Sequence, residues 1–292
     1  MVKVLVPSGA LGLNYDEEAL RRGIAAKPDI IAIDGGSTDS GPAYLGRGMS
    51  KYARSSTKLE WAGLMEARAE AGVPLVIGTA GTCGADSAVD WMLDITREIA
   101  DEQGRPIRIA VLRSGQMTDA TANAFTAGRI TPLGNAPEID GDYIKSCSNI
   151  VALAGAEQIQ AALDTGADVV IAGRTTDTAI IAALPLKHGC NAGGAWHGAK
   201  IGECGALCAT NPQSGVILID FDETGFTVTP LADGAKASPQ TVSAHMLYEN
   251  SDPFILYEPG GHLDVTNSTY TALDDTSVRV QGSEWVPSDD YT

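Results

Sequence analysis

Five short apolar runs, each ending in a loop of small polar residues, limit what this chain can fold into more than any other feature. They are VKVLVPS (2–8), DIIAIDGGS (29–37), PLVIGTAG (74–81), IRIAVLRSG (107–115) and DVVIAGR (168–174). Each is a continuous run rich in β-branched residues, not an alternation of apolar and polar residues, which is the pattern of a strand covered on both faces. Between them lie KYARSSTKLEWAGLMEARAEAG, ADSAVDWMLDITREIADEQG and GAEQIQAALDTG. These segments have helical periodicity and end in glycine, the preferred residue just past a helix C-terminus. Strand and helix alternating in this way predict an α/β fold: a Rossmann-like, mostly parallel sheet with helices on both faces, over residues 1–210.

The pattern changes after about residue 210. GVILIDFDETGFTVTPL predicts two strands around a turn at Asp222–Gly225, and SPQTVSAHMLYENSDP a helix opened by Ser-Pro. HLDVTNSTYTALDDTSVRVQG alternates like exposed strands, so residues 211–292 are expected to form a smaller α+β portion packed on the sheet domain. The tail WVPSDDYT has no helix or cap, and the natural chain is expected to continue beyond it.

Composition narrows the function classes. The formal net charge of −17 and the absence of any lysine- or arginine-rich run exclude a basic face for nucleic acid. MVKVLVPSGA lacks the features of a signal peptide, and no stretch approaches the ~20 apolar residues that span a bilayer. The five cysteines, odd in number and irregularly spaced, suit free thiols in a reducing cytoplasm, where the protein is expected to reside without membrane attachment. Cys204 and Cys208 lack the second pair or nearby histidines of a zinc site. The acidic, glycine-rich surface suits a homo-oligomer or a hetero-complex with a small partner subunit.

Ligands of open parallel sheets bind beyond the carboxyl ends of the strands. The loops there read SGALG (8–12), DGGSTDSG (34–41), GTAGTCGAD (78–86), RSGQMTD (113–119) and GRTTD (173–177). Such residues also close ordinary strand-to-helix turns. Taken together, with arginines at two strand tips, they predict a pocket in which glycine lets backbone N–H groups approach a ligand. The expected binding residues are Gly35, Gly36, Ser37, Thr38, Thr79, Gly81, Thr82, Arg113, Ser114, Arg174, Thr175 and Asp177. Asp34 ends an apolar run, where burial would raise its pKa and suit it to proton transfer. Asp34, Asp39, Asp86 and Asp177 form an alternative set for Mg²⁺. Cys83 reads as a thiol activated before a helix or as a small buried residue. The chain has neither a G-x-x-x-x-G-K-[ST] loop nor a G-x-G-x-x-G after the first strand, so neither NAD nor FAD is expected.

A second cluster lies in GAWHGAKIGECGALCATN (194–211). Glu203 and Cys204 follow His197 by six and seven residues, so two helical turns place one of them on the side of the histidine, a pairing suited to moving a proton. The alternative is that His197 packs against Trp196 while Glu203 faces solvent.

GADVVIAGRTTDTAI (166–180), the ECG of residues 203–205 with a histidine upstream, and TVSAHMLYENSDPFILYEP (241–259) resemble, in order and spacing, the acyclic terpene utilisation (AtuA-type) family. The resemblance covers roughly residues 155–292. Some positions depart from the family pattern: DGGSTDSG stands where an aspartate-tyrosine strand end is usual, GTAGTCGAD replaces an Asn/Pro-rich loop, His245 replaces glutamine, and PGGHLDVT replaces a Pro-Asp-Val start. These departures imply a divergent subgroup with its own substrate. The resemblance implies catabolism of a small carboxylic acid or its CoA thioester and adds weight to Arg174, Asp177, Glu203 and Cys204. The expected reaction is proton abstraction or addition next to a carbonyl, as in a hydratase, lyase or isomerase; the alternative is a non-catalytic ligand-binding subunit that needs a partner chain. Arg174 and Arg113 would hold the carboxylate, Glu203 or Asp34 would move the proton, His197 would assist, and Cys204 would stand beside them as a further catalytic group.

Overall fold

A computed structural model describes residues 1–36, 42–134, 136–248 and 250–289. Ser37, Thr38 and Asp39 of the expected site lie outside the described residues. The first part of the chain runs β1 (Val2–Val6), α1 (Glu17–Ala25), β2 (Ile30–Asp34), α2 (Pro42–Arg47), α3 (Arg54–Ala71), β3 (Leu75–Gly78), α4 (Asp86–Gln103) and β4 (Ile109–Leu112). It continues through α5 (Thr118–Thr126), α6 (Gly141–Ser146), α7 (Ala156–Asp164), β5 (Val169–Ala172), α8 (Ala179–Lys187) and α9 (Ala192–Gly202). The remainder comprises β6 (Ile217–Phe221), β7 (Gly225–Pro230), α10 (Pro239–His245), β8 (Ile255–Glu258), β9 (Gly261–Asp264), β10 (Thr269–Ala272), β11 (Val278–Gln281) and β12 (Glu284–Pro287).

All five expected parallel strands form, in the order β1-β2-β3-β5-β4. Successive side chains on a strand point to opposite faces, and here both faces are covered. Ile31, Ile33 and Ile77 pack with Leu20, Trp61, Leu64, Met92 and Ile95 of α1, α3 and α4. Ile30, Ala32 and Val76 pack with Ile159, Ile180, Ile181 and Ile201 of α7, α8 and α9. This two-sided burial explains why the runs carry no alternation. α3 and α4 each end at a glycine in the left-handed conformation, Gly72 and Gly104, as their sequences predict.

The boundary expected near residue 210 does not divide the sheet. β6 pairs antiparallel with β1, with Val6 opposite Ile217, and β7, β11 and β10 follow, so that nine strands form one sheet. The run VILIDF is legible as a strand, but the neighbour it adopts is a tertiary choice that no local pattern encodes. Among the described residues, β8, β9 and β12 stand apart as a three-stranded antiparallel sheet. α10 begins at the predicted Ser238, whose hydroxyl accepts from Thr241 N, and stops at His245, well before Asp252-Pro253. Among the described residues, no helix is long and apolar enough to cross a membrane.

Candidate functional site

Because β6 runs antiparallel to β1, its entry loop meets the loops at the carboxyl ends of the parallel strands. Two clefts open there. The first, of about 430 Å³, is lined by residues from the loop after β1, by Asp34, Lys51 and Tyr52, and by Asp177, Glu203 and Cys204. The second, of about 450 Å³, lies between the loop after β5 and β8, and is lined by Arg174, Lys200 and Glu258 among others. Asp177 and Glu203 line both.

Asp34 closes β2 and is 4% exposed. Its Oδ2 accepts from Gly36 N at 3.1 Å, while Oδ1 has no hydrogen-bond partner among the described residues. Burial, reinforced by the Asp177 carboxylate, drives its pKa well above the ordinary carboxyl range, although Arg174 and the amides of Gly36 and Gly35 pull it down. Glu203 is 8% exposed and forms an ion pair with Lys200, one turn earlier on α9. Burial outweighs that lysine and raises Glu203 to about 8, with Asp177 adding to the rise.

The loop after β3 supports the same wall. Thr79 and Thr82 adopt positive φ, +44° and +75°, a costly backbone for non-glycine residues that clusters at functional sites. Thr79 Oγ1 accepts from Arg174 Nη1 at 3.2 Å, and Thr82 Oγ1 accepts from Lys51 N at 3.1 Å, which fixes the segment that carries Tyr52. Ser114 Oγ donates to the Arg174 carbonyl at 3.1 Å. Thr79, Thr82, Ser114 and Thr175 are all buried, and Gly35 and Gly81 pack against Thr79 and Ala88 respectively, so these residues brace the wall from behind. The ECG turn has a steric basis. Gly205 sits at φ +60°, and a Cβ there would lie 2.6 Å from the Gly215 carbonyl oxygen. Only glycine lets the turn carrying Glu203 and Cys204 press against the loop before β6.

Other expected residues lie elsewhere. Arg113 is ion-paired with Asp90 of α4 on the surface, because β4 is the edge strand and its tip opens away from the clefts. Asp86 accepts from Gly115 N at 3.0 Å beside a separate depression, so it does not join Asp34 and Asp177; Asp39 of that set is outside the described residues. Among the described residues, no group of three His, Cys, Asp or Glu side chains is arranged as metal ligands. Cys83 is buried and its thiol is pushed up by desolvation, opposite to activation.

His197 and Glu203 do not pair. Both ring nitrogens of His197 face other groups, Nδ1 at 2.7 Å from Ser283 Oγ and Nε2 at 3.2 Å from Tyr270 Oη. Burial, then His245, lowers His197 to about 3, so its ring is neutral. The two positions lie on different sides of α9: six residues advance a helix by more than one and a half turns, not two.

Lys200 and Glu258 were not expected at the site. Lys200 stands three residues before Glu203, a spacing that puts the two on one helix face, and this was legible in the sequence. Glu258 lies within LYEP, near the end of a stretch already singled out, but only the pairing of β8 with β9 turns it toward Thr178 and the second cleft.

A family profile described as acyclic terpene utilisation family protein AtuA matches residues 49–292. The match takes in Arg174, Asp177, Lys200, Glu203 and Glu258, and leaves Asp34 outside. No curated protein and no solved structure matches the chain.

Proposed function

The chain belongs to the acyclic terpene utilisation family, whose name points to terpene catabolism, and from that premise we propose that it is an enzyme of proton transfer next to a carbonyl. Its substrate in this reading is a small branched carboxylic acid or the CoA thioester of one, and the reaction is of the hydratase, lyase or isomerase type. One observation carries the reading: Asp34 and Glu203, two buried carboxyl groups whose protonated forms are favoured by their surroundings, line the same cleft. Carboxyl groups whose burial favours the protonated form can take and return protons within a turnover.

Asp177 lies close enough to raise both carboxyl groups, so its negative charge disfavours ionising either. Glu203, raised to about 8, keeps its proton at neutral pH and is the proton donor, with Lys200 beside it to stabilise the carboxylate left behind. Asp34, in its ionised form, takes the proton from the carbon next to the carbonyl. Arg174, held by Thr79, steadies the negative oxygen of the substrate.

The test is solvent deuterium exchange. Branched acids and their CoA thioesters are incubated with the chain in D₂O, and label at the carbon next to the carbonyl is read by mass spectrometry. Exchange that is lost in Glu203→Gln is the expected result. Exchange equally fast in that variant removes Glu203 from the mechanism, and no exchange with any acid or thioester sinks the reading.

A further inference from the structure

The chemistry proposed above uses one cleft, yet the two carboxyl residues at its centre, Asp177 and Glu203, also form a wall of the second. The two sides differ in character. The first cleft has apolar groups at Leu13, Leu207 and Pro212. The second presents Arg174, Thr176, Lys200 and Glu258.

Glu258 is the informative residue. Its Oε1 accepts from the Thr178 hydroxyl at 2.5 Å, whereas its Oε2 is buried with no hydrogen-bond partner among the described residues. Burial raises its pKa to about 7; the Thr178 and Thr176 hydroxyls oppose that rise and Asp177 adds to it. A carboxyl group that accepts at one oxygen carries its proton on the other. A neutral carboxylic acid in a dry site is then a hydrogen-bond donor. The Oε2 hydroxyl, the Arg174 guanidinium and the Lys200 ammonium thus give one cleft three kinds of donor suited to an oxygen-bearing end group. The opposite cleft offers the apolar surface such a molecule's hydrocarbon end requires.

We infer that the two clefts are arms of one binding site, in which a branched acyl chain lies along Leu13, Leu207 and Pro212 and its carboxylate or thioester carbonyl is received by Glu258 and Arg174. The carbon next to the carbonyl then passes the dividing wall at Glu203. That last placement rests on the proton-transfer reading; the division of the substrate between the arms rests on the lining of the clefts alone.

Isothermal titration tests the arms without requiring turnover. The probes are methyl-branched monocarboxylates of increasing chain length and their CoA thioesters. Affinity is expected to rise about threefold to fourfold per methylene until the first arm is filled. Leu207→Trp, which narrows that arm, should flatten the rise while leaving the shortest acids bound. Glu258→Ala should weaken every member about tenfold regardless of length, and Glu258→Gln, which keeps an acceptor and a donor, should restore affinity to within about threefold. Binding of the free acids assigns the second arm to a carboxylate; binding of the thioesters alone assigns it to a thioester carbonyl, and both support the inference. It is overturned if no member binds, if Leu207→Trp leaves the length dependence intact, or if Glu258→Ala has no effect or acts only on the long chains. If Glu203→Gln binds the series as wild type does but neither protein exchanges deuterium, the arms stand and the proton-transfer reading fails. If wild type exchanges but the arms do not separate, only the present inference fails.

Discussion

Helix α9 carries two buried polar clusters built by opposite rules. At His197 both ring nitrogens have partners, Ser283 shares a further hydrogen bond with Ser268 at 3.1 Å, and Phe226 and Tyr270 pack edge-on against the ring. Lys200 and Glu203 are also buried but line clefts, Glu203 both and Lys200 the second, and the neighbouring Asp34 and Glu258 each keep a carboxyl oxygen without a partner among the described residues. A buried polar group left unsatisfied costs about 1–3 kcal/mol, a cost that hydrogen bonds to a ligand offset. The contrast separates roles that residue type alone confuses. The closed His197 network ties α9 to β10 and to the turn before β12, while the other cluster lines the two clefts.

The sharpest way to break the comparison is to mutate one member of each cluster. Glu203→Gln should slow deuterium exchange by about 10²–10⁴-fold, the usual contribution of a positioned acid or base. His197→Gln, assayed alongside, should leave the rate per folded molecule within about threefold. An equal loss at His197 would falsify the separation of roles. The reverse holds for stability. His197→Ala leaves a cavity at a fully buried position and removes a partner from Ser283 and Tyr270, and should cost about 2–4 kcal/mol in urea unfolding. Arg174→Ala should raise KM or lower turnover, reducing kcat/KM about 10–100-fold as expected for a lost charge-assisted hydrogen bond; unchanged kinetics would remove it from the site.

Titration sharpens the same contrast. Glu203 and Glu258, raised to about 8 and about 7 from 4.5, keep protons in the native chain that the unfolded chain has released. Their contribution is therefore lost as pH rises through those values. His197 and His245, lowered to about 3 and about 4 from 6.5, act with the opposite sign and lose stability as pH falls below 6.5. The two effects oppose each other between 4.5 and 6.5. Above that window only the carboxyl groups act, each contributing at most about 1.4 kcal/mol per pH unit. The urea midpoint should fall between about pH 6.5 and 8.5 and fall less steeply in Glu203→Gln; a flat profile in wild type contradicts the assignment. Gly205→Ala should cost more than the ~1 kcal/mol of its φ +60° strain, because its Cβ would also meet the Gly215 backbone, and exchange should slow because the turn carrying Glu203 shifts.

Much of the fold was legible because strands covered on both faces leave continuous apolar runs, and all five expected runs became neighbours in one parallel array. Asp34 was legible as a buried carboxyl because it ends such a run. Arg113 read the same way as Arg174, yet β4 lies at the edge and β5 inside, a difference of strand order that the two tips, LRSG and AGRT, do not record. The spacing from His197 to Glu203 suggested a pair, but a helix of 3.6 residues per turn does not return to the same side after six.

The sequence by itself determined the alternation of strands and helices, the small polar loops at the strand ends, the family to which the chain belongs and the identities of Asp34, Asp177, Glu203 and Arg174. These are local or compositional properties, written in periodicity and in turn chemistry. Tertiary structure alone decided that β6 completes the sheet beside β1, that β8 brings Glu258 to Thr178, and that Asp177 and Glu203 stand between two clefts. Those outcomes depend on which buried faces meet across long stretches of chain, and the energy that selects among them is shared by the whole core, not held in any one segment.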